Sequence, residues 1–211
     1  MEWIGEVPEH WGTTRLKFVS PKLSVGIVVN PSDYVAPKGL PFIYGGDISE
    51  GEIDLNNCRK ISEVDSIANA KTRLCAGDLL MVRVGYPGVT AVVPSEAEGG
   101  NCASVMLIRK GNFASEWLRF ALNSRYVRHQ VELVQYGAAQ EQFNISHAVD
   151  FLIATPPPRE QEAISKALLA IDARFQSLFR VIQRSIDLLK ERRSAFITAA
   201  VTGQIDLREA A

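Results

Sequence analysis

The chain has 211 residues, 46% of them hydrophobic, and a formal net charge of −1. That length admits one large domain or two small ones. The near-neutral charge excludes a binder held to nucleic acid by bulk charge, so any such contact needs a local patch or a partner that supplies phosphate contacts. No apolar run approaches the ~20 residues of a membrane span, and the start Met-Glu-Trp-Ile-Gly-Glu lacks the basic and apolar regions of a secretion signal. The expectation is a cytoplasmic protein with no membrane contact. Residues 157–211 hold 9 Lys/Arg and 7 Asp/Glu, against 14 and 17 in residues 1–156, so neither part is a basic tail.

Prolines at 8, 21, 31, 37, 41, 87 and 94 cut the first 155 residues into short pieces. Leu40–Tyr44 predicts a strand ending at Gly45-Gly46, and Gly51–Asp54 a turn into a short strand. Leu79–Val84 predicts a strongly apolar strand. Gly85-Tyr86-Pro87-Gly88 turns it, Val89–Val93 returns, and Ser104–Ile108 adds a third. Helices are expected over Ser115–Asn123 and from Arg125 to about Gln135, where Val127, Val131 and Val134 share a face.

Thr155-Pro156-Pro157-Pro158-Arg159-Glu160-Gln161 stops whatever precedes it and opens a helix, since proline suits a first turn whose N–H has no partner. Neither proline nor glycine then occurs before Gly203. Leu168, Ile171, Phe175, Leu178, Ile182, Leu189 and Phe196 recur at three- and four-residue steps, with polar gaps at Ser185 and Arg192. This is a heptad seam on a rod of roughly 60 Å. The prediction is an α+β fold: a β-rich globular domain over 1–154, then one long helix within 155–211 suited to pairing with another helix. Burying seven seam side chains at ~1.5–3 kcal/mol each gives an upper bound of order 10–20 kcal/mol, enough to offset an association cost of about 4–15 kcal/mol. A helix folded back on its own domain is the alternative. Polar seam residues can fix register, or mark where a partner's helices pack.

Catalytic chemistry is thin. Gly85–Gly88 lacks the Gly-Lys-Ser/Thr ending of a phosphate loop, and the Gly-x-Ser-x-Gly and Gly-x-Gly-x-x-Gly patterns are missing. Thr155–Pro158 lacks the amide and aromatic of a base-flipping methyltransferase loop. Asp78 opens a strand without the carboxylates a metal nuclease needs. Cys58, Cys75 and Cys102 form no Cys-x-x-Cys pair, and His10, His129 and His147 lie in unrelated contexts. The expectation is a non-enzyme with no metal and no cofactor.

Polar residues hint at nucleic acid. Lys71, Arg73, Arg83 and Tyr86 lie on or near turns. Arg119, Arg125, Arg128 and His129 make the densest basic cluster, and Tyr136–Gln142 is an amide-rich loop. Arginine can bond guanine at two points and glutamine adenine, so Arg73, Arg83, Tyr86, Arg125, Arg128, Gln140 and Gln142 are the nominated DNA contacts, with an ordinary solvated surface as the alternative.

Four passages resemble the DNA specificity subunits of type I restriction–modification systems. Trp3-Ile4-Gly5-Glu6-Val7-Pro8-Glu9-His10-Trp11, followed by Arg15-Leu16-Lys17, is similar to the family's opening. Gly77-Asp78-Leu79-Leu80 with Gly85 resembles its central strand. Gln142-Phe143-Asn144-Ile145-Ser146 with Pro156–Ile164 resembles the entry to its conserved helix, and Leu189–Ile205 that helix's end. The resemblance implies a target recognition domain reading a half-site of double-stranded DNA. It also implies a helical region that serves as spacer, pairs antiparallel with a second helix and docks methyltransferase subunits, with restriction/translocase subunits joining indirectly. The family's usual chain carries two of each part. This one carries one, so it is either a fragment of a longer chain or, as expected here, a natural half-subunit that dimerises and reads a two-part palindrome. A free-standing DNA-binding regulator and a coiled-coil adapter are the rival classes.

Overall fold

The computed structural model describes residues 7–135 and 144–205. The elements run β1 (Gly12–Arg15), α1 (Leu16–Val19), β2 (Leu23–Val25), β3 (Val35–Ala36), β4 (Leu40–Ile43), β5 (Ile48–Ser49), β6 (Glu52–Ile53) and β7 (Arg59–Ile61). Then come α2 (Glu63–Ala68), β8 (Leu79–Met81), β9 (Thr90–Val92), β10 (Asn101–Cys102) and β11 (Met106–Ile108). Last are α3 (Ser115–Asn123), α4 (Arg125–Gln135), α5 (Ile145–Ala148), β12 (Leu152–Thr155) and α6 (Pro158–Val201). The chain divides into two compact units, the first ending at Ser165 and the second beginning at Lys166.

The first unit is built on the antiparallel sheet β2-β11-β8-β9. Both faces of its central strands are covered. Leu79 and Met81 point toward Trp117, Leu118, Leu122, Val127 and Val131 of α3 and α4. Leu80 and Val82 point the other way, onto Ile43, Leu74, Ala91 and Leu107. Alternation sends neighbouring residues to opposite faces, so a strand buried on both reads as the unbroken apolar run Leu79–Val82. A second sheet, β10-β4-β7-β3, carries Phe42 and Ile61 into a smaller core with Ile27 and Ala103.

The expected strands at 40–44, 79–84, 89–93 and 104–108 correspond to β4, β8, β9 and β11, and the two expected helices to α3 and α4. One strand that was not expected, β12, closes the unit by pairing antiparallel with β1, from Gly12 opposite Thr155 to Arg15 opposite Leu152. Such a pairing, across most of the unit's length, leaves no local signature. α2 was passed over. Its sign was Ser62, whose Oγ accepts from the Asp65 N–H at 3.0 Å as an N-cap.

The recurring motif residues turn out to be fasteners. Asp78, 2% exposed, accepts from Arg109 Nη1 at 2.7 Å, the Lys110 N–H at 2.9 Å and the Cys75 N–H at 3.0 Å. Glu160 in the first turn of α6 accepts from Trp11 Nε1 at 2.9 Å and lies 2.7 Å from His10 Nε2. Gln161, 4% exposed, accepts from the Ala114 N–H and donates to the Pro156 carbonyl, both at 3.0 Å. The opening motif and the helix-entry motif, ~150 residues apart in sequence, therefore meet at one point. Trp3, Ile4, Gly5 and Glu6 of the opening motif lie outside the described residues.

In the second unit α6 is continuous, 44 residues in all counted from Pro158, or about 66 Å at 1.5 Å per residue. It ends where Gly203 takes φ 72° and the Gln204 N–H bonds the Ala199 carbonyl at 2.8 Å. Ile171, Phe175, Leu178, Ile182, Leu189 and Phe196 are 47–64% exposed along it, and Leu168 is half-buried.

Candidate nucleic-acid interface

β8 and β9 are joined by a hairpin tip. The Val82 N–H bonds the Val89 carbonyl at 2.8 Å, and the Gly88 N–H bonds the Val82 carbonyl at 2.9 Å. Residues 83–87 protrude beyond this closure. Gly85 and Gly88 take φ 87° and 88°, backbone that other residues adopt only under strain. Gly88 is also needed for space: a Cβ there would lie 3.0 Å from Val131 Cγ2 of α4. The turn presents Tyr86, 79% exposed, with Val84 exposed beside it.

The root of the finger is tied to α3 and α4. Asn123, the last residue of α3, accepts from the Thr90 N–H at 3.0 Å and donates to the Thr90 carbonyl at 2.7 Å. Arg128 of α4 donates to the Pro87 carbonyl at 3.4 Å and lies 3.5 Å from Glu50 Oε2. Arg83 is only 9% exposed and donates to Asn144 Oδ1 at 3.4 Å. Burial holds its guanidinium below the usual arginine range, because the charged form loses water. Beside the finger, Arg125, Tyr126, Arg128, His129 and Glu132 line a cleft of about 490 Å³ along α4. His129 Nδ1 lies 3.5 Å from Glu132 Oε2. An exposed tyrosine and forked cations beside a cleft suit bases and phosphates.

The nominated residues separate accordingly. Arg83, Tyr86 and Arg128 come together at the finger, and Arg125 lies on the adjoining cleft. Arg73 lies elsewhere, in a cleft of about 650 Å³ shared with Lys22, Asp78, Glu98, Arg109 and Lys110. Gln140 and Gln142 lie outside the described residues. Arg119, grouped by sequence with the basic cluster, does not belong to that face. It is 4% exposed, donates to Glu116 Oε2 at 2.6 Å and stacks 3.8 Å over the Phe120 ring. Reading by sequence neighbourhood failed there because α3 turns Arg119 inward while α4 turns Arg125 outward. Sequence also missed Asn123, Asn144 and Glu50, whose contacts join positions 33 to 78 residues apart. Among the described residues no cluster of His, Cys, Asp and Glu could hold a metal ion, and no helix is long and apolar enough to cross a membrane.

No family model matches the chain. It is 22% identical over 204 residues to the type I restriction enzyme EcoBI specificity subunit of Escherichia coli, covering 94% of this chain and 43% of that protein. It is 24% identical over 210 residues to a Methanocaldococcus jannaschii protein ascribed the same role, named MjaX, covering 94% and 47%. The fold is that of the HsdS subunit from Thermoanaerobacter tengcongensis, with TM-score 0.63 at 18% identity over 83% of this chain and 45% of that one. The chain spans about half the length of the curated relatives it matches. It resembles half of a type I specificity subunit in sequence and in fold.

Proposed function

We propose that this chain is a non-catalytic, half-length specificity subunit of a type I restriction–modification system. The likeness to specificity subunits over 94% of the chain carries this reading. Residues 1–154 act as the target recognition domain and residues 155–211 as the helical spacer. Two copies pair through Leu168, Ile171, Phe175, Leu178, Ile182, Leu189 and Phe196 and read a two-part, palindromic site. The helices also dock the methyltransferase subunits, through which restriction/translocase subunits join.

Within the recognition domain, Tyr86 and Arg128 at the finger and Arg125 beside it are the leading DNA contacts. Arg83 braces the finger from below. Arg73 serves as a phosphate contact from its separate cleft, and Gln140 and Gln142 complete the set. Phosphate contacts fix position and base contacts fix sequence. Alanine at a base reader therefore relaxes preference at one position, at about 1–3 kcal/mol, whereas alanine at a phosphate contact weakens all sequences alike and flattens the salt dependence.

The test is selection of bound duplexes from a random pool, by the pure chain and by the chain mixed with its methyltransferase subunit. The expected result is weak binding alone and a two-part consensus with the subunit. Tight, specific binding by the pure chain would instead mark a free-standing regulator, and no selection in either arm an adapter.

A further inference from the structure

The helical part of the second unit, Lys166 to Val201, keeps its large apolar residues exposed from Leu169 onward. In heptad terms Leu168, Phe175, Ile182, Leu189 and Phe196 occupy a, and Ile171, Leu178, Ser185 and Arg192 occupy d. The flanks decide more than the seam. Position e holds Asp172, Phe179, Ile186 and Arg193, and position g holds Arg174, Val181, Leu188 and Ala195. Phe179, Ile186, Val181 and Leu188 are all exposed, so mid-rod the flanks are apolar where a simple two-helix seam would carry charge.

We infer that α6 binds the α6 of a second copy in one antiparallel register, with the two-fold axis passing between Gln183 and Arg184. In this register Leu178 faces Leu189 of the second copy, Ile182 faces Ser185, and Ile171 faces Phe196. Phe175 faces Arg192, whose guanidinium already lies 5.5 Å from the ring of its own Phe196. Arginine is tolerated there because it stacks between two aromatic faces. Both flanks match as well. Asp172 meets Arg193, Phe179 meets Ile186, and Val181 meets Leu188.

Other arrangements lose these matches. Sliding one heptad in one direction sets Asp172 against Ile186 and Arg174 against Leu188. Sliding the other way parts Asp172 from Arg193 and sets Arg192 against Ile182. A parallel pair stacks Arg192 on Arg192 and sets Leu188 against Arg193. Each of these desolvates charge without compensation. The preferred register also brings Lys166, where the second unit begins, level with Val201, where α6 ends. Some 54 Å of helix is paired with no overhang.

This register deepens the self-pairing of the proposed function, and its test reads pairing without DNA. The full chain is used with the exposed Cys75 replaced by serine, Cys58 and Cys102 being buried. L178C and L189C variants are oxidised separately and mixed. The expected result is disulfide-linked dimers in the mixture only. In this register two Leu178 positions lie ~16 Å apart along the axis, far beyond disulfide reach. Self-linking of either variant, or no linking in the mixture, overturns the register. In sedimentation, D172R and R193D should each weaken the dimer on the order of tenfold, since the two-fold axis makes each act twice, and the double exchange should restore it. Losses that add in the double variant, or a chain that stays monomeric, overturn it too. If linking fails while a two-part DNA site is still selected with the methyltransferase subunit, the register falls and the function stands. Linking without DNA selection is the reverse.

Discussion

Replacing Asp78 with alanine should destabilise the first unit while leaving the hairpin finger and the α6 seam untouched. Three donors converge on this carboxylate, which is 2% exposed: Arg109 Nη1 and the backbone N–H groups of Lys110 and Cys75. A buried donor left without a partner costs about 1–3 kcal/mol, so the two backbone groups together cost about 2–6 kcal/mol, brought to about 3 kcal/mol where water reaches the vacated space beside exposed Cys75. The Arg109 side chain is 22% exposed and keeps its bonds to the Arg73 and Lys71 carbonyls. Its share is therefore about 1 kcal/mol, closer to a surface pair than a buried one. The total is about 4 kcal/mol. For a unit of this size that lowers Tm by about 8–16 °C. Fluorescence of the buried Trp117 reports this unit, whereas far-ultraviolet ellipticity would be dominated by α6. D78N keeps one acceptor oxygen and should lose about half as much. A D78A variant melting within about 2 °C of wild type would refute the claim that the Gly77-Asp78 motif is a fastener.

Three further outcomes are expected. Asp150 is held below its ordinary value by the Lys17 ammonium and then Arg15, and Glu160 by the Trp11 indole N–H and then His10. A depressed carboxylate contributes stability above its unfolded pKa and loses it as pH falls through the folded one. D150N and E160Q should therefore lower the urea midpoint at neutral pH and converge with wild type in acid, and a constant offset at every pH would contradict this. Q161A strips the Ala114 N–H and Pro156 carbonyl of their partner, so a loss of about 1–3 kcal/mol is expected in urea titration, and a neutral result would mean water replaces the side chain. Burial pushes the Cys102 thiol up to about 12, so at neutral pH a thiol reagent should label exposed Cys75 at once and Cys102 only on unfolding. Rapid labelling of Cys102 would show that its site opens in the native state.

The local elements were legible because each has a local cause. Proline and glycine fixed the two ends of α6. The apolar run Leu79–Val82 marked β8 as a strand and the β-branched run Val89–Val93 marked β9, and the spacing of Val127 and Val131 marked the buried face of α4. The seam from Leu168 to Phe196 was readable because heptad spacing is a property of the sequence alone. The motif strings could be recognised without their purpose, which appears only when Trp11 meets Glu160 and Gln161 meets Ala114.

The tertiary structure decided which polar residues face outward. Arg119 and Arg125 are six positions apart and alike in sequence, yet one is buried against Glu116 and the other lines a cleft. Arg83 and Tyr86 are three apart, and only the hairpin turn sends one inward to Asn144 and the other into solvent. Helical and strand periodicity is written into neighbouring residues. The direction of a charged side chain depends on partners tens of residues away, and no local pattern encodes them.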